Sequence, residues 1–170
     1  MIILGLGSNL TSNKGNRFKN IDLAISLLEQ YQFKILKKSS YFETPSYPDS
    51  NNPKFINIVA AVESNLPPTD LASVLIFVEQ KLGRVRSVKN APRTIDIDII
   101  DYNKKVLDFS YNNLKFTVPH LELSNRNFVL MPLYEIIPDW IHPKTNENIK
   151  TLIQDLSEDD RKSILKVKKN

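Results

Sequence analysis

Two aspartates, one residue apart in an apolar and β-branched segment, are the residues of this chain best suited to chemistry. Asp96 and Asp98 alternate with Ile95, Ile97 and Ile99. On a β-strand, side chains two positions apart lie on one face, so both carboxylates would point the same way with their Cα atoms roughly 6.6 Å apart. Two such carboxylates can bind one or two hard cations such as Mg²⁺, and they repel each other without a counter-charge. On this pattern alone, a half-buried strand with an acidic solvent face is the simpler interpretation.

A cationic segment directly precedes the two aspartates. Between Gly83 and Arg93 the chain carries Arg84, Arg86 and Lys89 and no acid. Guanidinium groups donate paired hydrogen bonds to phosphate oxygens, and carboxylate-bound Mg²⁺ contacts such oxygens from another side. A cationic loop in isolation would be an ordinary solvated surface. Next to an acidic strand, it predicts a site for a polyphosphate and its metal.

Composition excludes several other classes of site. The chain has 170 residues, which fits one domain, and no cysteine, which excludes disulfides, thiolate metal sites and cysteine nucleophiles. His120 and His142 are too few and too far apart for a zinc motif. The apolar start of the chain is brief and no stretch is long enough to span a membrane, so we expect a cytoplasmic protein without a membrane partner. A net charge of +4 and a pI near 9.2 favour anionic partners, nucleotides and nucleic acids alike.

Hydrophobic periodicity predicts alternating strands and helices. In chain order we expect a strand at 2–6, a helix from about 16, strands at 33–43 and 55–63, a helix from about 67 that ends at Gly83, the strand that carries the two aspartates, a hairpin through 102–105 and a helix at about 126–136. The second helix would bury Leu71, Val74, Leu75, Val78 and Leu82. Three prolines exclude a regular element from the loop at 44–53, which we expect to border a binding site.

The element order indicates the fold class. The order β-α-β-β-α-β is typical of a ferredoxin-like α+β sandwich, in which a mainly antiparallel sheet carries both helices on one face. The other face would be free for a ligand. We expect a single domain at 1–157, and a charged tail at 158–170 that is partly disordered.

Six short motifs occur in an order that resembles one enzyme family. They are Gly-Ser-Asn-Leu at 7–10, Glu-Thr-Pro at 43–45, Gly-Arg-Val-Arg at 83–86, Pro-Arg-Thr-Ile-Asp-Ile-Asp at 92–98, Phe-Thr-Val-Pro-His at 116–120 and Asn-Arg-Asn-Phe at 125–128. Together they resemble the 6-hydroxymethyl-7,8-dihydropterin pyrophosphokinase family, folate-pathway enzymes that transfer pyrophosphate from ATP to a pterin alcohol. The resemblance extends from Gly5 to about Leu156. Each motif alone is weakly specific, whereas their joint occurrence is highly specific.

The resemblance implies a nucleotide site with ATP as co-substrate. Asp96 and Asp98 would bind two Mg²⁺ ions, and Arg84 and Arg93 would close on the triphosphate, so that these four are the implied catalytic residues. The further implied ATP-binding residues are Glu79, Arg86, Ile99, Lys115, Thr117, His120 and Arg126. For Glu79, an exposed acid on a helix flank is the simpler interpretation. His120 is expected to donate to a phosphate oxygen rather than to bind a metal.

The resemblance also implies a pterin site. Its residues would be Gly7, Thr44, Pro45, Tyr47, Phe55, Asn57 and Phe128. A flat heterocycle needs both faces covered and its polar edge matched, so one ring on each face and an amide at the rim suit it. Without the resemblance, both phenylalanines would be assigned to the core. Phe55 stands where the family often has tyrosine, which keeps the stacking surface and loses a hydroxyl.

Some residues depart from the family pattern, and two other functions stay open. The segment between Arg86 and Arg93 is one residue shorter than in the best-known bacterial members and lacks their tryptophan and glycine. Asn127 stands where glycine is common, and Lys115 would replace an arginine. An RNA-binding ferredoxin-like domain would need sheet aromatics where this chain has acids. A non-catalytic scaffold is the other alternative. We expect a monomer that binds small molecules and no nucleic acid.

Overall fold

The structure is a computed structural model that describes residues 1–47, 49–85 and 91–169. Its strands are β1 Ile2–Ser8, β2 Lys34–Lys38, β3 Tyr41–Thr44, β4 Phe55–Glu63, β5 Asp96–Tyr102, β6 Leu107–Tyr111, β7 Leu114–Val118 and β8 Leu165–Val167. Its helices are α1 Arg17–Gln30, α2 Pro68–Lys81, α3 Asn127–Ile136, α4 Ile149–Asp155 and α5 Glu158–Ser163, with a 3-10 turn at Leu123–Asn125. In the described part of the chain, no helix is long and apolar enough to cross a bilayer.

The main sheet is antiparallel and confirms the predicted fold class. Its strand order is β5-β1-β4-β3-β8, and β2 pairs with β4 beside β3. Strands β6 and β7 form a separate two-stranded sheet. The turn after β5 forms at 103–104, where both residues have positive φ, but the strand that follows it pairs with β7. The predicted turn at 102–105 therefore closes with a single bridge between Tyr102 and Lys105, and the extended hairpin is the next one, formed by β6 and β7.

Helices α1 and α2 pack on one face of the sheet and form the larger core. Their inward residues are the ones that helical periodicity predicts, including Ile21, Leu28, Leu71 and Leu75. Asn16 begins α1, because its side chain accepts from the amide of Lys19. Pro68 begins α2 with a φ that suits the first helical turn, and Gly83 follows the helix with a φ of +86°.

Helices α3 and α4 cover one end of the opposite face, so the expectation that this face is wholly free was wrong. A second core forms there from Ile3, Val59, Ala61 and Ile100 of the sheet and the apolar sides of α3 and α4. This apolar patch lies at the start of β1, the end of β5 and the adjoining part of β4. The other end of the same face carries the two aspartates.

An irregularity in β5 supports this second core. Ile3 pairs with Asp101 and Leu4 with Ile99, so Ile100 is an extra residue in the pairing with β1. The extra residue turns Asp101 to the α3 side, where its Oδ2 accepts from Trp140 Nε1 at 2.9 Å and its Oδ1 accepts from the Lys104 amide at 2.8 Å. A buried carboxylate with two donors connects the strand to the segment after α3.

Two further expectations need correction. The strand predicted at 33–43 is interrupted, because Ser40 turns its amide and hydroxyl to the Glu135 carboxylate at the end of α3. The expectation of a partly disordered tail was wrong for residues 158–167, which form α5 and β8. β8 pairs with the free edge of β3, a partner that no local pattern in a charged segment reveals. The division into a domain at 1–157 and a tail stays a prediction.

We expect Asp101→Ala to lower the free energy of unfolding by about 2 kcal/mol, because it leaves the buried indole N–H of Trp140 without an acceptor and removes the acceptor of the Lys104 amide. Urea denaturation followed by far-UV circular dichroism measures the change. Asp139→Ala, at an exposed position next to Trp140, is the matched control and should change stability by less than about 0.5 kcal/mol. Equal changes in the two variants would contradict a role for the Trp140 hydrogen bond.

Candidate active site

Asp96 and Asp98 lie on the face of the sheet opposite α1 and α2, at the end that α3 and α4 leave uncovered. Asp96 pairs with Gly7 and Asp98 with Gly5 across β1. The intervening Ile97 points into the larger core, which places both carboxylates on the other face as their spacing predicts. Because the two glycines carry no side chains, neighbouring side chains approach the surface of β1 there: Ile100 lies over Gly5, and Asn57 and Phe55 lie over Gly7.

Gly7 also faces the residues predicted to bind a pterin. A Cβ at Gly7 would lie 3.0 Å from Asn57 Oδ1 and 3.4 Å from Phe55 Cδ1. The first distance is closer than side chains normally tolerate. A larger residue at this position would therefore displace one of the two neighbours.

Three arginines supply the counter-charge that the two carboxylates require. Arg84 and Arg93 both donate to Asp96, the latter from Nη1 to Oδ2 at 2.6 Å. Arg126 Nη1 donates to Asp98 Oδ2 at 3.1 Å. The arginines come from three separate places in the chain: the end of α2, the segment before β5 and the residue before α3. The site thus collects cations from several elements around one acidic strand.

Glu79 is buried, so its interpretation as an exposed acid was wrong. The residue is 2% exposed. Its Oε1 accepts hydrogen bonds from the Ile97 amide at 2.8 Å and from Arg84 Nη1 at 2.5 Å. Ile97 lies between the two aspartates in the chain, so Glu79 connects α2 to the acidic strand and to Arg84. The missed signal was the helix period, because Glu79 lies four residues after Leu75 and three before Leu82, both inward-facing.

Asn9, which sequence reasoning did not select, holds the backbone of Arg93. Its Oδ1 accepts from the Arg93 amide at 2.7 Å, and its own amide donates to the Arg93 carbonyl at 3.1 Å. Its Nδ2 donates to the Pro53 carbonyl in the proline-containing loop. The sequence signal was its place in the Gly-Ser-Asn-Leu motif at 7–10, directly after β1. Asn9 therefore fixes the position of the Arg93 backbone, from which the guanidinium reaches Asp96.

The environment of the site shifts the pKa of Asp98 and that of His120. Burial and the neighbouring Asp96 carboxylate raise the pKa of Asp98, although His120, Arg126 and Arg84 act in the opposite direction. Burial lowers the pKa of His120, against the opposing effect of Asp98. Its Nδ1 accepts from the Glu122 amide at 3.1 Å, so the neutral imidazole carries its proton on Nε2. His120 is therefore a hydrogen-bond donor at neutral pH.

The pterin-binding residues predicted on β3 and β4 lie together. Asn57 Nδ2 donates to Thr44 Oγ1 at 2.9 Å, and both side chains are buried. Phe55 is half-buried, with the Arg93 guanidinium 5.6 Å from its ring centre. Phe128 is also half-buried, and the Arg126 guanidinium lies 5.5 Å from its ring centre. Each ring therefore has an arginine of the acidic site beside it.

Other predicted site residues lie further from this cluster or contribute differently. Pro45 and Tyr47 are exposed, Tyr47 at 83%. Lys115 is exposed on β7, and the Thr117 hydroxyl donates to Asp108 Oδ1 at 2.7 Å. The Ile99 side chain lies in the larger core, so a contact with a nucleotide would come from its backbone. Arg86 lies outside the described residues.

The donor set suits a hard cation. Mg²⁺ is usually bound by one or two carboxylates together with waters and phosphate oxygens. Asp96 and Asp98 provide two carboxylates on one surface, with side chains 23% and 33% exposed. Among residues 1–47, 49–85 and 91–169, no group of three or more His, Cys, Asp or Glu side chains could hold a metal by itself. The site therefore fits an ion that a phosphate ligand helps to bind.

Comparison with known proteins gives one family. The family model described as 7,8-dihydro-6-hydroxymethylpterin-pyrophosphokinase matches residues 3–138. The chain is 33% identical to the 2-amino-4-hydroxy-6-hydroxymethyldihydropteridine pyrophosphokinase of Synechocystis sp., over 89% of this chain and 74% of that protein. It is 36% identical to the protein of the same name from Aquifex aeolicus, over 88% of each.

Longer relatives contain a similar segment. The chain is 35% identical to the folic acid synthesis protein fol1 of Pneumocystis carinii over 96% of this chain, but it spans only 21% of that protein's length. The crystal structure of wild-type Plasmodium falciparum HPPK-DHPS superposes with a TM-score of 0.70 at 18% identity, over 89% of this chain and 43% of that chain. This similarity concerns the fold. By the match to the family model and to these relatives, the chain belongs to the 7,8-dihydro-6-hydroxymethylpterin-pyrophosphokinase family.

Proposed function

We propose that this protein transfers pyrophosphate from ATP to 6-hydroxymethyl-7,8-dihydropterin, giving AMP and the pterin diphosphate, in folate biosynthesis. The observation that supports this most is the pair of carboxylates on one face of β5, paired with arginines from three elements. The names of the Synechocystis and Aquifex aeolicus relatives supply the reaction. An RNA-binding domain is a poorer explanation, because two acids at this position would repel a phosphodiester backbone.

The carboxylates would hold the metal. Asp96 and Asp98 are proposed to bind Mg²⁺, with two ions in the complete complex. Mg²⁺ bound there would offset the charge of the triphosphate and make its β-phosphorus more susceptible to attack. Because a metal would neutralise the carboxylates, it would also release the guanidinium groups that now pair with them.

The arginines and His120 would bind the phosphates. Arg84, Arg93 and Arg126 are proposed to exchange carboxylate oxygens for phosphate oxygens and to stabilise charge on the transferring group. His120 would donate from Nε2, the nitrogen left free by the Glu122 amide. The remaining proposed ATP-binding residues are Glu79, which would act through Arg84, and Arg86, Ile99, Lys115 and Thr117.

The pterin would lie between the acidic strand and the start of β4. Phe55 and Phe128 are proposed to stack on its faces, with Asn57 at its polar edge. Gly7 would leave room for it, and Thr44, Pro45 and Tyr47 would border it. The hydroxymethyl oxygen then attacks the β-phosphorus, the bond between that phosphorus and the α,β-bridging oxygen breaks, and AMP leaves. Alignment and charge compensation suffice for such a transfer, so no nucleophilic side chain is required.

The expected cytoplasmic location and monomeric state stay predictions. The shortened segment without tryptophan falls largely on residues 86–90, which lie outside the described residues. Its part in closing the nucleotide site is therefore a prediction from the sequence alone.

We expect Asp96→Ala and Asp98→Ala each to lower pterin-dependent AMP release from MgATP by at least about a thousandfold, because each removes half of the carboxylate pair. Asp155→Ala, at an exposed position on α4, is the matched control and should keep wild-type activity. Far-UV circular dichroism shows whether each variant is folded. A folded single variant with near wild-type activity would contradict the metal site, and a folded wild type without activity would favour the scaffold alternative.

We expect Glu79→Gln to lower kcat/KM for MgATP by about tenfold. The amide oxygen can still accept from the Ile97 amide and from Arg84, but the hydrogen bond to Arg84 loses the carboxylate charge, and a charged hydrogen bond is worth about 1–1.5 kcal/mol more than a neutral one. Glu63→Gln, on an exposed residue of β4, serves as the control. Steady-state kinetics with each substrate varied in turn measures the effect, and an unchanged kcat/KM would show that Arg84 needs no such partner.

A further inference from the structure

We infer that the C-terminal segment, residues 157–169, positions the pterin-binding side chains and thereby sets the affinity for the pterin. This inference rests on the proposed function, because it concerns the same site. The segment contacts the site's supporting residues at two separate points, one on α3 and one on β3.

The first point of contact is Asn127, the first residue of α3. Its Nδ2 donates to the Asp160 carbonyl at 2.6 Å and to Ser163 Oγ at 3.0 Å, both in α5. Asn127 is 8% exposed and lies in the chain between Arg126 and Phe128. The Arg126 side chain does not cap α3, so the two hydrogen bonds from Asn127 hold the start of this helix from outside it. A shift of Asn127 would move the aromatic ring that follows it.

The second point of contact is β3. Leu165, Lys166 and Val167 of β8 pair with Glu43, Phe42 and Tyr41, so the strand is held on both edges. The next residue is Thr44, which accepts a hydrogen bond from Asn57 and leads into the proline-containing loop. Without β8, residues 41–43 would form the edge of the sheet, where strands are less restrained.

Two ion pairs join the segment to α3 and to α1. Lys166 Nζ lies 2.7 Å from Glu135 Oε1, and the same carboxylate accepts from the amide and hydroxyl of Ser40, just before β3. Lys169 pairs with Asp22 on α1. Exposed pairs of this kind contribute little to stability. The Lys166 pair joins β8 to α3 and to the residue before β3, whereas the Lys169 pair lies beyond β8.

The segment contributes little to the core. Among the described residues of α5 and β8, none is fully buried; Ile164 between them is buried, and Val167 is half-buried against the larger core. A segment that mainly stabilised the fold would bury more apolar surface. Its contacts are instead concentrated on neighbours of Phe128 and Thr44. This distribution indicates a positioning role.

Two variants test the inference from its two points of contact. A stop codon after Ile164 removes β8 and keeps α5, and Asn127→Ala removes the two hydrogen bonds to α5. Each should raise the Kd for 6-hydroxymethyl-7,8-dihydropterin, measured by calorimetry with a non-hydrolysable MgATP analogue present, by about fivefold, as expected for one or two lost neutral hydrogen bonds. The stop variant should bind the MgATP analogue alone within about twofold of wild type.

Matched controls accompany each variant. A stop codon after Lys168 keeps β8 and loses only the pair with Asp22, and Asn125→Ala changes an exposed residue on the other side of Arg126. Both should bind the pterin as wild type does. Circular dichroism checks folding, and if the shorter chain does not fold, Asn127→Ala decides the question.

Two results would overturn this inference and leave the proposed function intact. The first is folded variants that bind the pterin as tightly as wild type. The second is a stop variant that loses affinity for the pterin and the MgATP analogue equally, which would indicate a general structural role. Wild-type protein that bound the MgATP analogue but no pterin would instead refute the proposed function, and this inference with it. The two failures are therefore distinguishable from the wild-type titration.

Discussion

Repulsion between two carboxylates on one strand is the constraint around which the rest of the site is arranged. Asp96 and Asp98 lie side by side, and burial together with the neighbouring charge raises the pKa of Asp98. The free protein satisfies them with Arg84, Arg93 and Arg126, which reach the strand from three elements. These guanidinium groups, which compensate the two carboxylates, would also be suitable donors for a polyphosphate if a metal ion bound the carboxylates instead.

One face of the sheet performs two tasks because its composition changes along the strands. At one end Ile3, Val59 and Ile100 join the core under α3 and α4. At the other end Gly5 and Gly7 pair with the aspartates, and the absence of their side chains lets Ile100, Asn57 and Phe55 approach β1. The second core thus holds α3 in place, and the start of α3 brings Arg126 and Phe128 to the border of the open end.

Local patterns predicted most elements and the acidic pair, because alternation and helical periodicity depend on neighbours in sequence. They failed where tertiary partners decide. Glu79 has an inward helical position, but its charge suggested exposure. Its burial depends on two tertiary donors, the Ile97 amide and Arg84, which satisfy the carboxylate. Asn9 looked like an ordinary turn residue. The strand β8 has three residues in a charged segment, and its pairing depends on the free edge of β3.

The extra residue at Ile100 divides β5 into two independent halves. A strand without it would alternate strictly, and Asp101 would then point into the α1 and α2 core with no partner for its charge. With it, the half that bears Asp96 and Asp98 and the half that anchors Trp140 keep separate registers against β1. A change in the packing of α3 and α4 through one half of the strand would therefore leave the orientation of Asp96 and Asp98 in the other half unchanged.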